Sequence, residues 1–199
     1  MNPLDKISGT IVTGLVISVI IAVGTNLAGA SAANSLVIWL HVAAGVTWIG
    51  LLYYFNFVQA PSIGEANADA DGPGPAAITK YVAPRALLWF RWAALVTWLS
   101  GALFLFLNGT LGDAFELGLR TGNPYATTIG IGAWLGTIML FNVWILIWPN
   151  QKKVLGIVEA TAEEKARGAR IAFLASRTNT MLSIPMLMSM VGAGHGFFM

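Results

Sequence analysis

The chain has 199 residues, of which 56% are hydrophobic and 10% charged, with a net charge of +2. That balance is too apolar for an ordinary soluble domain, and no basic patch suggests nucleic acid. Cysteine is absent, which excludes structural disulfides, covalently attached c-type haem, iron–sulfur clusters and thiolate metal sites. A membrane span needs about 20 mostly apolar residues, and the chain offers runs near 11–30, 35–59, 86–108, 127–149 and 171–198. The expected protein is therefore an all-α integral membrane domain over 1–199, with five transmembrane helices and the lipid bilayer as its main partner.

The first run ends in "AGASAAN", which resembles a signal-peptidase site. A weak basic start (Lys6 beside Asp5) and a long apolar stretch favour a retained span instead. The second run holds His41, Gly45, Trp48, Leu52 and Asn56 on one helical face. Next, "PSIGEANADADGPGPAAITK" reads as a loop from its Pro, Gly and Asp content. Span three begins among Lys80, Arg85 and Arg91, and only Arg120 is basic in the 109–126 connection that follows it. After span four, "EATAEEKARGAR" reads as a short amphipathic helix running into span five, where Pro185 is expected to introduce a kink.

Lys80, Arg85 and Arg91 cluster around the start of span three, and Lys152, Lys153, Lys165, Arg167 and Arg170 fill the connection between spans four and five. The positive-inside rule makes those sides cytoplasmic, so the amino terminus is expected inside and the carboxyl terminus in the periplasm of a bacterial inner membrane. Trp48, Gly50, Phe55 and Asn56 recur with the spacing of Trp134, Gly136, Phe141 and Asn142. Two spans of like direction sharing W-x-G-x4-F-N suggest a parallel repeat. Hairpins of spans 2–3 and 4–5 would then form a four-helix bundle, with span one peripheral.

All nine acidic residues lie outside the spans, which counts against a carboxylate-based proton pathway or di-iron site. The groups left inside are His41, His195, Arg91 and Arg177, with Asn56, Asn142 and Asn179. An ionisable group at membrane depth needs a partner or a function. His41 and His195 fall in the outer half, with small residues such as Gly45 and Gly192 beside them. Two inward histidines on different helices could ligate one metal, and without thiolate or carboxylate the fitting centre is the iron of haem b. The other reading is that each histidine hydrogen-bonds a neighbouring helix and the glycines serve packing. In the inner half, Arg91, Arg177, Asn56, Asn142, Asn179 and Tyr54 could converge on a small, planar, anionic substrate, since Arg binds in a fork and Asn both donates and accepts. The alternative there is snorkelling arginines and asparagines bonded to neighbouring backbone. No catalytic acid or base stands out.

The stretches "HVAAGVTWIGLLYYFNFVQAP", "RALLWFRWAALVTWLSG", "GIGAWLGTIMLFNVWILIWPNQKK" and "ASRTNTMLSIPMLMSMVGAGHG" resemble the membrane amino-terminal domain of the bacterial membrane-bound urate oxidase (urate hydroxylase) family. The resemblance implies an oxidoreductase acting on urate or a similar anionic purine. In that family a cytochrome c domain follows the membrane domain and takes the electrons. These residues contain no C-x-x-C-H, so a separate periplasmic cytochrome c is the expected partner. The first stretch also resembles a His-bearing helix of the membrane protoporphyrinogen oxidase family, which implies a porphyrin theme. Other readings kept open are a non-catalytic b-type cytochrome or accessory subunit of a respiratory assembly, a cofactor-free channel or carrier, and self-association into a homo-oligomer.

Overall fold

A computed structural model describes residues 2–24 and 32–196; the "AGASAAN" site and the turn after the first run fall largely outside the described residues. The described residues are helical, with no strand among them. The chain divides into two compact units, Met1–Val37 and Ile38–Met199. In the first unit α1, Ile7–Gly24, follows a single 3-10 turn, Pro3–Asp5, capped by the Asn2 side chain accepting from the Leu4 amide. No residue of α1 is buried, and its apolar side chains are exposed all round, as expected of a helix meant for hydrocarbon.

In the second unit, four helices surround one core. Helix α2, Ala32–Tyr53, enters this unit at Ile38 and runs through a π-helical turn, Tyr54–Gln59, into α3, Ala60–Ala68. Another π turn, Ile78–Val82, leads into α4, Ala83–Leu107; a short α5, Leu111–Phe115, follows. Helix α6, Pro124–Phe141, passes through a third π turn, Asn142–Ile147, into α7, Trp148–Val154, and α8 covers Ala162–His195. Trp48 and Leu52, Phe90 and Ala94, Met139 and Val143, and Ala175 and Met186 bring α2, α4, the α6 strut and α8 into the same core.

All three π turns have one sequence cause. Each is followed directly by a helix with proline in its second position: Pro61, Pro84 and Pro149. A proline lacks the N–H for the usual bond and its ring collides with the carbonyl four residues earlier; here those carbonyls, on Phe57, Lys80 and Ile145, lie inside the π turns. The wider turn makes room for the ring and the helix continues. The expected loop after Pro61 therefore starts later than its composition suggests, because α3 persists to Ala68.

Ile7–Gly24, Ala32–Ala68, Ile78–Leu107 and Pro124–Val154 are long and apolar enough to cross a membrane. The fifth expected run is part of α8, which merges with the amphipathic segment before it and continues through Pro185 without a break. Helix α8 buries Gly168, Ala172, Ala175, Asn179, Ser183, Met186, Ser189 and Gly192 on one stripe. Its polar and small residues lower its hydropathy yet face the core, the converse of a soluble helix. It starts with a capping box: Thr161 Oγ1 accepts from the Glu164 amide at 3.2 Å and Glu164 accepts from the Thr161 amide at 2.9 Å. That bond first, and Lys153 second, hold the Glu164 carboxyl below the usual carboxylate range.

Candidate functional site

Several helix contacts in the second unit carry a polar clasp. Tyr53 and Ser183 hydroxyls lie 3.0 Å apart, Asn56 Nδ2 donates to Ser176 Oγ at 2.8 Å, and Trp98 Nε1 donates to Thr137 Oγ1 at 2.8 Å. Asn142 Nδ2 donates to Asn179 Oδ1 at 2.8 Å, while Asn179 Nδ2 donates to the Met139 carbonyl at 2.9 Å. Asn56 also donates to the Leu52 carbonyl at 2.8 Å. With water excluded, such bonds hold helices that apolar contact alone would not distinguish from lipid.

Between these helices lies a cavity of about 760 Å³, bordered by α2, α4, α5, α6 and α8. It falls within the roughly 300–1,000 Å³ typical of small-molecule and cofactor sites. His41 and His195 both border it, as do Gly45, Gly101, Gly136 and Gly194. Gly192 is buried beside a neighbouring hollow of about 330 Å³ that it shares with Leu187, Met188 and Val191. Phe115 and Tyr125 line the main cavity where α4 and α8 finish and α6 begins. The 109–126 connection is thus a folded cap: Trp134 Nε1 donates to the Phe115 carbonyl at 3.1 Å and Thr127 Oγ1 to the Leu117 carbonyl at 2.8 Å.

The histidines are oriented by main-chain carbonyls. His41 Nδ1 lies 2.8 Å from the Thr97 carbonyl on α4, and His195 Nδ1 lies 2.9 Å from the Val191 carbonyl of its own helix. A carbonyl only accepts, so Nδ1 carries a proton in both rings, and in the neutral form of either imidazole Nε2 holds the lone pair. This is the tautomer a metal ligand needs, and the carbonyl is the kind of outer partner that orients such ligands. Among the described residues no three His, Asp or Glu side chains group as a metal site. Two imidazoles suffice only for a centre that brings its other ligands with it.

The inner-half residues are distributed differently. Asn142 and Asn179 meet, and Asn56 bonds one turn away on the same helix, at Ser176. Arg91 stacks on Trp148, its guanidinium carbon 3.8 Å from the ring centroid, about 9 Å along α4 from Thr97 at 1.5 Å per residue. Arg177 is exposed and lies over Phe173 of its own helix at 5.2 Å. Two residues from the fully buried Asn179, it points to another side of α8. Tyr54 is half-buried with its ring against Phe55; its neighbour Tyr53 is the tyrosine whose hydroxyl enters the interhelical network. The W-x-G-x4-F-N repeat is matched in part: Gly50 and Gly136 both line the cavity, and Asn56 and Asn142 both sit in π turns and bond α8. Trp48 is 2% exposed, whereas Trp134 is 45% exposed.

Comparison with families of known proteins finds that residues 120–199 match the family described as urate oxidase N-terminal. Over these residues the chain is similar to the urate oxidase N-terminal family. The urate oxidase match covers α6, α7 and α8, and so takes in Asn142, Arg177, Asn179 and His195, while His41, Tyr54, Asn56 and Arg91 precede it. No curated protein and no solved structure matches the chain.

Gly101 and Tyr53 are residues that sequence reasoning did not single out. Gly101 stands one turn after Thr97, as Gly45 stands one turn after His41, but that correspondence acquires meaning only when the two helices face each other.

Proposed function

We propose that this protein is a membrane-embedded oxidoreductase of the urate oxidase type, which oxidises urate or a related anionic purine and delivers electrons to a separate cytochrome c. The observation carrying the reading is the pair of Nδ1-tethered histidines, on two different helices, bordering one cavity of cofactor size. In this reading His41 and His195 would hold the iron of a b-type haem, and Gly50, Gly136 and Gly194, with open space where a Cβ would stand, would leave room for a macrocycle. Haem held there would supply a one-electron relay between the substrate and an external acceptor. The Thr97 and Val191 carbonyls keep both imidazoles in the ligating tautomer, and Phe115 with Tyr125 limits water at the capped end. Arg91, held planar against Trp148, is the cation best placed to receive a purine anion. Helix α8 serves as a fifth crossing, its polar stripe satisfied by the bundle, with the amino terminus cytoplasmic and the carboxyl terminus periplasmic.

A second reading has its own support. The amides of Asn56, Asn142 and Asn179 are engaged in bonds within the bundle, which leaves fewer groups for a purine edge and suits a b-type electron carrier without a substrate site. Absorption spectra of the purified protein after haemin reconstitution, oxidised and dithionite-reduced, test the cofactor. Low-spin bands are expected in the wild type and should be lost or converted to high-spin in His41→Ala and in His195→Ala. Unchanged bands in both variants, or no haem uptake by the wild type, would overturn the ligand assignment. Reduction of the haem by urate separates the oxidoreductase from the carrier.

A further inference from the structure

We infer that Gly101 on α4 is a positioning residue for His41, selecting which imidazole nitrogen is left free for a ligand; this rests on the ligand role proposed for His41. A Cβ at position 101 would lie 2.8 Å from His41 Cε1 and 2.9 Å from Nδ1, far inside the roughly 3.5–4.0 Å at which carbon atoms pack. Only glycine lets the ring come so close to α4. That closeness brings Nδ1 to 2.8 Å from the Thr97 carbonyl, one turn earlier on the same helix.

The facing position on α2 is less crowded. One turn after His41 on α2, Gly45 faces the Thr97 methyl, Cγ2, at 3.6 Å from where a Cβ would stand. The 3.6 Å at Gly45 is an ordinary van der Waals separation, so the close approach that requires glycine is the one at Gly101. The Thr97 and Ser100 hydroxyls do not compete for the ring: Thr97 Oγ1 donates to the Ala93 carbonyl at 2.7 Å, and Ser100 Oγ donates to the Val96 carbonyl at 2.6 Å and the Thr97 carbonyl at 3.1 Å. The imidazole is left with a carbonyl acceptor, which forces the proton onto Nδ1 and the lone pair onto Nε2. A methyl at position 101 must rotate the ring or push α2 away. Either movement breaks the bond that selects the tautomer.

The chain has two histidines, so nitrogen NMR of histidine-labelled full-length protein in detergent, without haem, reads both rings, and His195→Gln assigns them. His41 should be a single Nδ1–H tautomer in the wild type and a tautomer mixture in Gly101→Ala, with the His195 signals unmoved. Haemin titration of the same variant should show affinity about tenfold or more weaker, the usual scale for losing an outer partner of a metal ligand. Gly101→Ala with wild-type His41 signals would overturn the inference. So would an Nε2–H tautomer in the wild type, a measurement that stands even if the variant does not fold. A fixed Nδ1–H tautomer lost in Gly101→Ala, in a protein that takes up no haemin, would uphold the positioning role and reject the haem reading; haem uptake with a mixed wild-type tautomer would do the reverse.

Discussion

Replacing Asn179 by alanine removes two hydrogen bonds from the centre of the α6–α8 contact, one accepted from Asn142 and one donated to the Met139 carbonyl. Asn179 is fully buried and Asn142 is 8% exposed, so water cannot replace the lost partners. An interhelical bond in a membrane protein contributes about 0.6 kcal/mol on average and up to about 1.7, which makes the two worth roughly 1–3 kcal/mol. The Asn142 amide left without its acceptor adds about 1 kcal/mol or more. Asn179→Ala should therefore lose about 2–4 kcal/mol, a large share of a domain's stability. The Asn142→Ala/Asn179→Ala double variant should lose less than the sum of the singles, because both remove the same bond. Unfolding by SDS titration in mixed micelles, followed by tryptophan fluorescence, measures the difference. Asn179→Ala within about 0.5 kcal/mol of wild type, the range of a neutral surface change, would refute this reasoning and return the amide to the substrate role that its sequence position suggests.

Arg91 and Arg177 should separate in a binding assay. A charge-assisted bond is worth about 1.5–3 kcal/mol, so Arg91→Ala should weaken urate binding about ten- to a hundredfold by calorimetry, while exposed Arg177→Ala should change it less than about threefold. Equal affinity of wild type and Arg91→Ala would remove Arg91 from the site. For the orientation, alkaline phosphatase fused after Met199 should be active and the same enzyme inserted in the 69–75 connection inactive; the opposite pattern would invert the proposed topology.

The helices were readable because a bilayer imposes long apolar runs and because proline and glycine mark their interruptions. Histidines and asparagines stood out for the same reason, as polar groups in those runs. Their partners were not readable. Asn179 and Arg177 are two positions apart, and the sequence allows either to turn inward. Packing against α6 buries the asparagine, and the arginine lies on its own Phe173. Likewise nothing local distinguishes Tyr53 from Tyr54; Ser183, 130 residues away, takes the hydroxyl of the first.

By itself the sequence determined the class of the protein: apolar helices long enough to cross a membrane, few charges, two histidines and a few amides within the apolar runs, and a final segment similar to the urate oxidase N-terminal family. Those are matters of composition and local period, which do not depend on what packs where. Tertiary structure alone decided the state of the site. The carbonyl at Thr97 selects the His41 tautomer, the missing side chain at Gly101 admits the ring, and the asparagines are committed to the bundle. Each of these depends on atoms of separate helices meeting within a few ångströms, and a linear pattern holds no information about such distances until the helices fix their mutual register.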